Sequence, residues 1–177
     1  KHYLHDGHTV AIAGRNPARV EASKISEQAN LQYSAIDISD SVAVQAALNN
    51  YAANGLDLVI VTAGLYFNDR LHALDAASTR AMLETNVNGL NHAFQHASAI
   101  MLAQGSGQFA AVSSIAGLLS DYPGASLYSA TKRTVLQLCD SYQRALASFG
   151  ISVTAIIPGY IDTERLRELN GGSAQHK

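Results

Sequence analysis

The sequence predicts an α/β fold, a three-layer doubly wound parallel sheet, and three observations predict it. Short β-branched runs alternate with longer stripes of helical period along the whole chain. One run, 56–64, is nearly continuous in apolar residues, as a strand covered by helices on both faces should be. Each run is separated from the next by a helical stretch, and strands joined that way lie parallel with right-handed crossovers.

The elements follow in order. HTVAIAG, 8–14, reads as the first strand. Asn16 and Pro17 then read as an N-cap and a proline at the first helical position, opening a helix to about Gln28. LQYSAIDI, 31–38, is the second strand, and Ser39 or Asp40 caps the helix after it. That helix carries Val42, Val44, Ala47 and Leu48 on its apolar face and stops at Gly55. LDLVIVTAG, 56–64, is the third strand, and its unbroken apolar run predicts a central place in the sheet. A looser stretch over 65–77 leads to a long helix, 78–104, ended by Gly105 and Gly107. Strand QFAAVSS, 108–114, runs into a loop at 114–124, then a helix over 125–149 that stops at Gly150. ISVTAII, 151–157, is the last strand, followed by the turn Pro158-Gly159.

The 177 residues suit a single domain, 1–177, with a sizeable core; 47% are hydrophobic and 15% charged. A net charge of −2 and a pI near 6.4 give no general attraction to nucleic acid or anionic membrane. Cys139 is the single cysteine, so no intrachain disulfide forms. No apolar run reaches the ~18 residues of a membrane span and no signal-like segment is present, so the expected location is the cytoplasm. The seven histidines show no metal-ligand spacing with carboxylates or cysteines, and no metal is expected. Cys139 lies in an apolar helical stripe and reads as structural.

Parallel sheets of this kind bind ligands at the carboxyl ends of their strands. Four positions there and on the adjoining helices matter together: Asn86, Ser114, Tyr128 and Lys132. Tyr128 and Lys132 are one helical turn apart and project from one face. That spacing alone arises by chance roughly 0.2 times in a chain of this composition and equally describes a solvent-side pair. Asn86 alone is an ordinary helix amide, and Ser113 or Ser114 alone a strand-end cap. Their joint order carries the weight.

TAG at 62–64, NVNG at 86–89, VSSIAG at 112–117, YSATK at 128–132 and PGYIDT at 158–163 occur in the order of the motifs of short-chain dehydrogenases. The sequence resembles that family over essentially its whole length. The resemblance implies a Rossmann fold and hydride transfer between a nicotinamide cofactor and a carbonyl or alcohol. It makes Tyr128 the proton donor and acceptor, Ser114 the hydrogen-bond partner of the substrate oxygen, and Asn86 part of a water-linked relay behind Lys132. Ser114 is chosen over Ser113 because it directly precedes the x-Ala-Gly unit. An unperturbed tyrosine titrates near ~10, and an ammonium at ~4 Å favours phenolate by about 4 kcal/mol, on the order of three pKa units. That is the expected task of Lys132, together with hydrogen bonds to the cofactor's ribose.

By the same resemblance Arg15 stands where the adenosine ribose is read, after Gly14 in the place of an acidic residue. A guanidinium suits a 2′-phosphate, so NADP(H) is expected over NAD(H). Asp37 and Ile38 fall at the adenine, Ala63 and Gly64 at close backbone approach, and Pro158, Gly159, Ile161 and Thr163 at the nicotinamide end, with Tyr128 and Lys132 also touching the cofactor.

The chain departs from the family in two places. Val61 and Thr62 replace paired asparagines, and the glycine-rich phosphate turn after the family's first strand is not in this sequence. KHYLHDG resembles the end of the helix after that turn, so the family's first and last strands fall outside these residues. The first would lie between HTVAIAG and LDLVIVTAG, leaving a gap of ~9 to 10 Å with open edges on both sides. The expectation is a longer biological protein. The apolar faces of the helices at 78–104 and 125–149 are long enough for subunit packing, and the resemblance implies a homodimer or homotetramer built on them. Two other readings stand beside the oxidoreductase: an epimerase or dehydratase retaining NAD, and a non-catalytic nucleotide-binding or relic module. The resemblance assigns substrate specificity to the loop after 56–64, to 118–124 and to the segment after Thr163.

Overall fold

The computed structural model describes residues 2–16, 18, 29–69, 75–119, 125–162 and 167. The expected helix to Gln28 and the position of Thr163 lie outside the described residues. In chain order the elements are α1 (His2–His5), β1 (Val10–Gly14), β2 (Leu31–Ala35), α2 (Ser41–Tyr51), β3 (Leu58–Val61) and α3 (Ala76–Leu83). A π-helical turn, Glu84–Asn88, joins α3 to α4 (Gly89–Gln104). Then come β4 (Gly107–Val112), a 3₁₀ turn (Ile115–Gly117), α5 (Ser126–Leu146), a second 3₁₀ turn (Ala147–Phe149) and β5 (Ile151–Ile156).

Every strand pair is parallel. β1 pairs with β2 from Val10↔Leu31 to Gly14↔Ala35. β4 lies between β3 and β5, with Val59 opposite Phe109 and Phe109 opposite Val153. Among the described residues no ladder joins β1 to β3, so the strands form a two-stranded and a three-stranded sheet. The break falls where the sequence placed the open gap.

That break corrects one expectation. β3 is an edge of its sheet, not its centre, and Ile60 is 46% exposed on it. With no strand hydrogen-bonded on its outer side, the apolar run cannot be covered as a central strand is. The strand also spans four residues where nine were expected. β4 takes the central place, and Phe109, Ala110 and Ala111 are buried along it.

The core sits where α4 and α5 cover the three-stranded sheet. Phe94 of α4 stacks on Phe109 at 3.9 Å and on Tyr142 of α5 at 4.2 Å. Leu90, Ala93, Ala97, Val135 and Cys139 close around these rings, and Val44 of α2 joins them. Burial pushes the Cys139 thiol up to about 11, as its place in the core requires.

The helix ends follow local chemistry. Asp40, rather than Ser39, caps α2 by accepting from the Val42 and Ala43 N–H groups at 3.0 Å each. Asp75 caps α3 by accepting from Ser78 N at 2.7 Å, which starts that helix two residues before the expected Ser78. α4 ends on Gly105 at φ 74°, in the left-handed region that glycine enters without steric cost. No helix among the described residues is long and apolar enough to cross a membrane.

Candidate active site

The described candidate site residues follow the carboxyl ends of the strands or face them from the helices. Tyr128 and Lys132 lie on α5, and Ser114 follows β4 in extended conformation, φ −166° and ψ 153°. Asn86 is at the middle of the π-helical turn, where the widened helix turn breaks the α-helical register.

Lys132 is 4% exposed and donates its ammonium to the Val112 carbonyl at 2.8 Å. Burial pushes its pKa down to about 8. The ammonium stands 5.7 Å from the centre of the Tyr128 ring. Burial raises the Tyr128 phenol above its ordinary value, and a hydrogen bond with Ser114 opposes that rise. The expected lowering by Lys132 does not dominate in this arrangement, because the ammonium is directed at a main-chain carbonyl and the phenol is largely desolvated.

The two serines divide by strand alternation, since consecutive side chains point to opposite faces. Ser113 is 1% exposed and donates to the Lys132 main-chain oxygen at 2.8 Å. Ser114 is half-buried, and its hydroxyl accepts from Ala116 N at 3.2 Å on the side of Tyr128. Gly117 permits the close approach of α5 to this turn. A Cβ there would stand 2.8 Å from the Lys132 main-chain carbon.

Asn86 is 2% exposed, and its amide is engaged on every side. Its Oδ1 accepts from Leu65 N at 2.7 Å, while Nδ2 donates to Leu65 O at 2.9 Å and Thr131 Oγ1 at 3.0 Å. The Thr131 hydroxyl donates in turn to the Tyr128 carbonyl at 2.7 Å. A Cβ on Gly64 would lie 3.4 Å from Lys132 Nζ and 3.6 Å from Asn86 Oδ1, so this glycine backbone lies against both groups.

A second group lies at the ends of β1 and β2. Ile36 N donates to Gly14 O at 3.1 Å, which brings Arg15 alongside Asp37. Asp37 accepts from Ser39 N at 2.9 Å and Ser39 Oγ at 2.7 Å. These bonds, with a smaller contribution from the Arg15 charge, hold its carboxyl below the usual range. Arg15 and Gly14 are exposed, and nothing stands within 4 Å of a Cβ built on Gly14. Ile38 packs on α4 at Gly89, where a Cβ would come within 2.7 Å of it. Ala63 is exposed after β3. Pro158 and the exposed Gly159 and Ile161 follow β5, and Pro158 O accepts from Ile115 N at 3.0 Å, tying that segment to the turn after Ser114.

Sequence reasoning missed three participants. Thr131 sits inside the YSATK motif, and its spacing from Tyr128 could have shown it. Tyr66 meets Tyr128 edge-to-face, ring centres 5.1 Å apart and planes at 81°. Asp69 accepts from Ser126 N at 2.8 Å and Ser126 Oγ at 2.5 Å, capping α5 from a distant loop because Ala125 has no side chain able to do so. No local signal announces those two. Among the described residues there is no cluster of three or more histidine, cysteine or acidic side chains able to hold a metal ion.

Known proteins share this arrangement of sequence and fold. A family model described as short chain dehydrogenase matches residues 1–173. An uncharacterized oxidoreductase of Staphylococcus aureus strain MW2 is 30% identical over 165 residues, covering 90% of this chain and 71% of that protein. The cis-4-hydroxycyclohexanecarboxylate dehydrogenase of Sinomonas cyclohexanicum is 37% identical over 130 residues, covering 72% of this chain and 52% of that protein. The solved structure of ElxO with NADP bound superposes with a TM-score of 0.87 at 26% identity, covering 98% of this chain and 73% of that one. The chain is an oxidoreductase that belongs to the short-chain dehydrogenase family.

Proposed function

We propose that this protein interconverts a small carbonyl compound and its alcohol with NADP(H), using Tyr128 as the acid and base. The observation that carries the reading is the grouping of Tyr128, Ser114 and buried Lys132 at the end of β4. A relative named as a cis-4-hydroxycyclohexanecarboxylate dehydrogenase and a fold neighbour solved with NADP bound support the reaction class and the cofactor.

The glycine-rich phosphate turn is not in this sequence, and the residues present suit the two ends of the cofactor. Arg15 offers an exposed guanidinium beside open space at Gly14, suited to a 2′-phosphate. Asp37 and Ile38 would hold the adenine end. Ala63, Gly64, Pro158, Gly159 and Ile161 would line the remainder, and Lys132 faces Gly64 where the ribose would lie. When bound, the nicotinamide supplies or takes up a hydride.

The chain's own residues handle the proton. In reduction, a phenol held above its ordinary pKa is fully protonated near neutrality, so Tyr128 has the proton that the substrate oxygen must gain. The Ser114 hydroxyl donates to the same oxygen and stabilises the charge that develops on it. Once Tyr128 is phenolate, the Lys132 ammonium favours it by charge and, with a pKa of about 8, can release a proton to restore the phenol. Asn86, whose Oδ1 lies with the Lys132 ammonium against the same face of Gly64, would belong to the path that refills that proton.

We further assign the protein to the cytoplasm as a homodimer or homotetramer built on α4 and α5; a monomer by light scattering would refute the oligomer. The activity test is direct. Tyr128→Phe in the natural protein should abolish NADPH-dependent ketone reduction while leaving NADPH binding measurable by calorimetry. Near-normal turnover in that variant would overturn the mechanism.

A further inference from the structure

The turn that follows Ser114 rests on α5 at one peptide step, Lys132–Arg133. Ser113 Oγ donates to the Lys132 carbonyl at 2.8 Å. Gly117 lies so close that a Cβ on it would stand 2.8 Å from the Lys132 main-chain carbon and 3.0 Å from Arg133 N. The Arg133 side chain then reaches over the end of the turn. Its Nε donates to the Gly117 carbonyl at 3.2 Å and its Nη2 to the Leu119 carbonyl at 2.6 Å. One planar guanidinium thus bridges two carbonyls two residues apart, a geometry that a lysine ammonium, a single point of charge, does not reproduce.

Ile115, Leu118 and Leu119 are all exposed, so their side chains add little apolar burial to hold this turn down. Yet the turn decides where the Ser114 hydroxyl points. Ser114 caps it, and its Oγ accepts from Ala116 N at 3.2 Å. That bond occupies one lone pair of the hydroxyl and leaves its proton for another partner. Ser114 acts on the Tyr128 phenol, against the effect of burial. A shift of Gly117 carries Ala116 N with it, and a donor displaced by a fraction of an ångström loses much of its effect on a reacting oxygen.

We propose that Arg133 is a positioning residue: by bridging the Gly117 and Leu119 carbonyls it fixes the turn on α5, and with it the Ser114 hydroxyl against Tyr128. This rests on the roles of Ser114 and Tyr128 proposed above and adds the side chain that keeps them in register. Arg133 acts through the turn and not on substrate or cofactor.

The test uses the natural protein labelled with carbon-13 at the tyrosine Cζ. The Tyr128 signal is identified by its loss in Tyr128→Phe, and its phenol is titrated by NMR without any turnover. Arg133→Met keeps the aliphatic stem and Arg133→Lys keeps the charge; the residue is exposed, so neither opens the core. Both should raise the pKa of Tyr128, as Ser114→Ala does, and Ser114→Ala with Arg133→Met should raise it no further than Ser114→Ala alone. In ketone reduction Arg133→Met should lower kcat about tenfold and leave KM for NADPH within about threefold. A wild-type titration in both Arg133 variants would overturn the proposal. So would a rise in Arg133→Met that is absent from Arg133→Lys, which would make the effect one of charge, or additive rises in the double variant, which would separate Arg133 from Ser114. Coupled rises in a protein that reduces no carbonyl would overturn the reaction and keep the bridge, while an unmoved phenol in Ser114→Ala would overturn both.

Discussion

Lys132 donates its ammonium to the Val112 carbonyl at 2.8 Å while almost wholly removed from solvent. One neutral acceptor replaces little of the hydration that a charged group loses, and the pKa falls from 10.5 to about 8 as a result. Holding the charge there at neutral pH costs the fold stability.

Lys132→Met should therefore abolish activity yet stabilise the protein at pH 7 by about 2 kcal/mol, the charge cost less the lost bond to Val112. A lysine whose folded pKa is depressed destabilises most below about 8, where it is charged in both states. Between 8 and 10.5 the folded lysine is neutral and the unfolded one still binds a proton, so wild-type stability from this group rises with pH. The advantage of the methionine variant should shrink across that window. Urea unfolding of both proteins at pH 7 and pH 10 checks it, and a constant difference would contradict the charge argument.

Ser114 is the group that pulls the Tyr128 phenol down against burial. Ser114→Ala should lower kcat for carbonyl reduction by about 10² to 10³-fold. Alcohol oxidation needs the phenolate, so its rising limb should move to higher pH in the variant. Rate profiles in the oxidation direction, measured from pH 7 to 11, should show that displacement; an unmoved limb would remove Ser114 from contact with the phenol.

Asn86→Ala deletes the partners of Leu65 N, Leu65 O and Thr131 Oγ1. The loss should be about 3 kcal/mol, since the groups it leaves are largely buried. Thr131→Val removes one link of the chain to Tyr128 and should cost about 1 kcal/mol. Because the two share a hydrogen bond, the double variant should lose less than both single losses together. Denaturant midpoints of the four proteins test the coupling.

Arg15→Ala should raise KM for NADPH by about 10 to 100-fold and leave KM for NADH within about threefold, the signature of a lost contact to a 2′-phosphate. Equal effects on both cofactors would instead make Arg15 a general contributor to the fold near Asp37.

Much of this was legible from local pattern. The alternation of strand and helix periods located the five strands seen among the described residues, and Asn86, Ser114, Tyr128 and Lys132 stand out through the order of their motifs. Period-2 alternation also separates Ser113 from Ser114 in principle, but which face turns inward depends on what packs there. The π-helical turn at Glu84–Asn88 was hidden inside a long helical stripe, and Asn86 within it bonds to Leu65, 21 residues earlier in the chain, a contact no local pattern announces.

The sequence by itself determined the α/β class, the order of elements and the face shared by Tyr128 and Lys132, since these rest on periodicity within a few residues. Only the tertiary structure decided that β4 lies between β3 and β5, that Asp69 caps α5 from 57 residues away, and that Tyr66 stands at right angles to Tyr128. The physical reason is range. Hydrophobic period and capping act over one or two turns of chain, whereas edge exposure, trans capping and ring contact arise only when packing brings distant segments together.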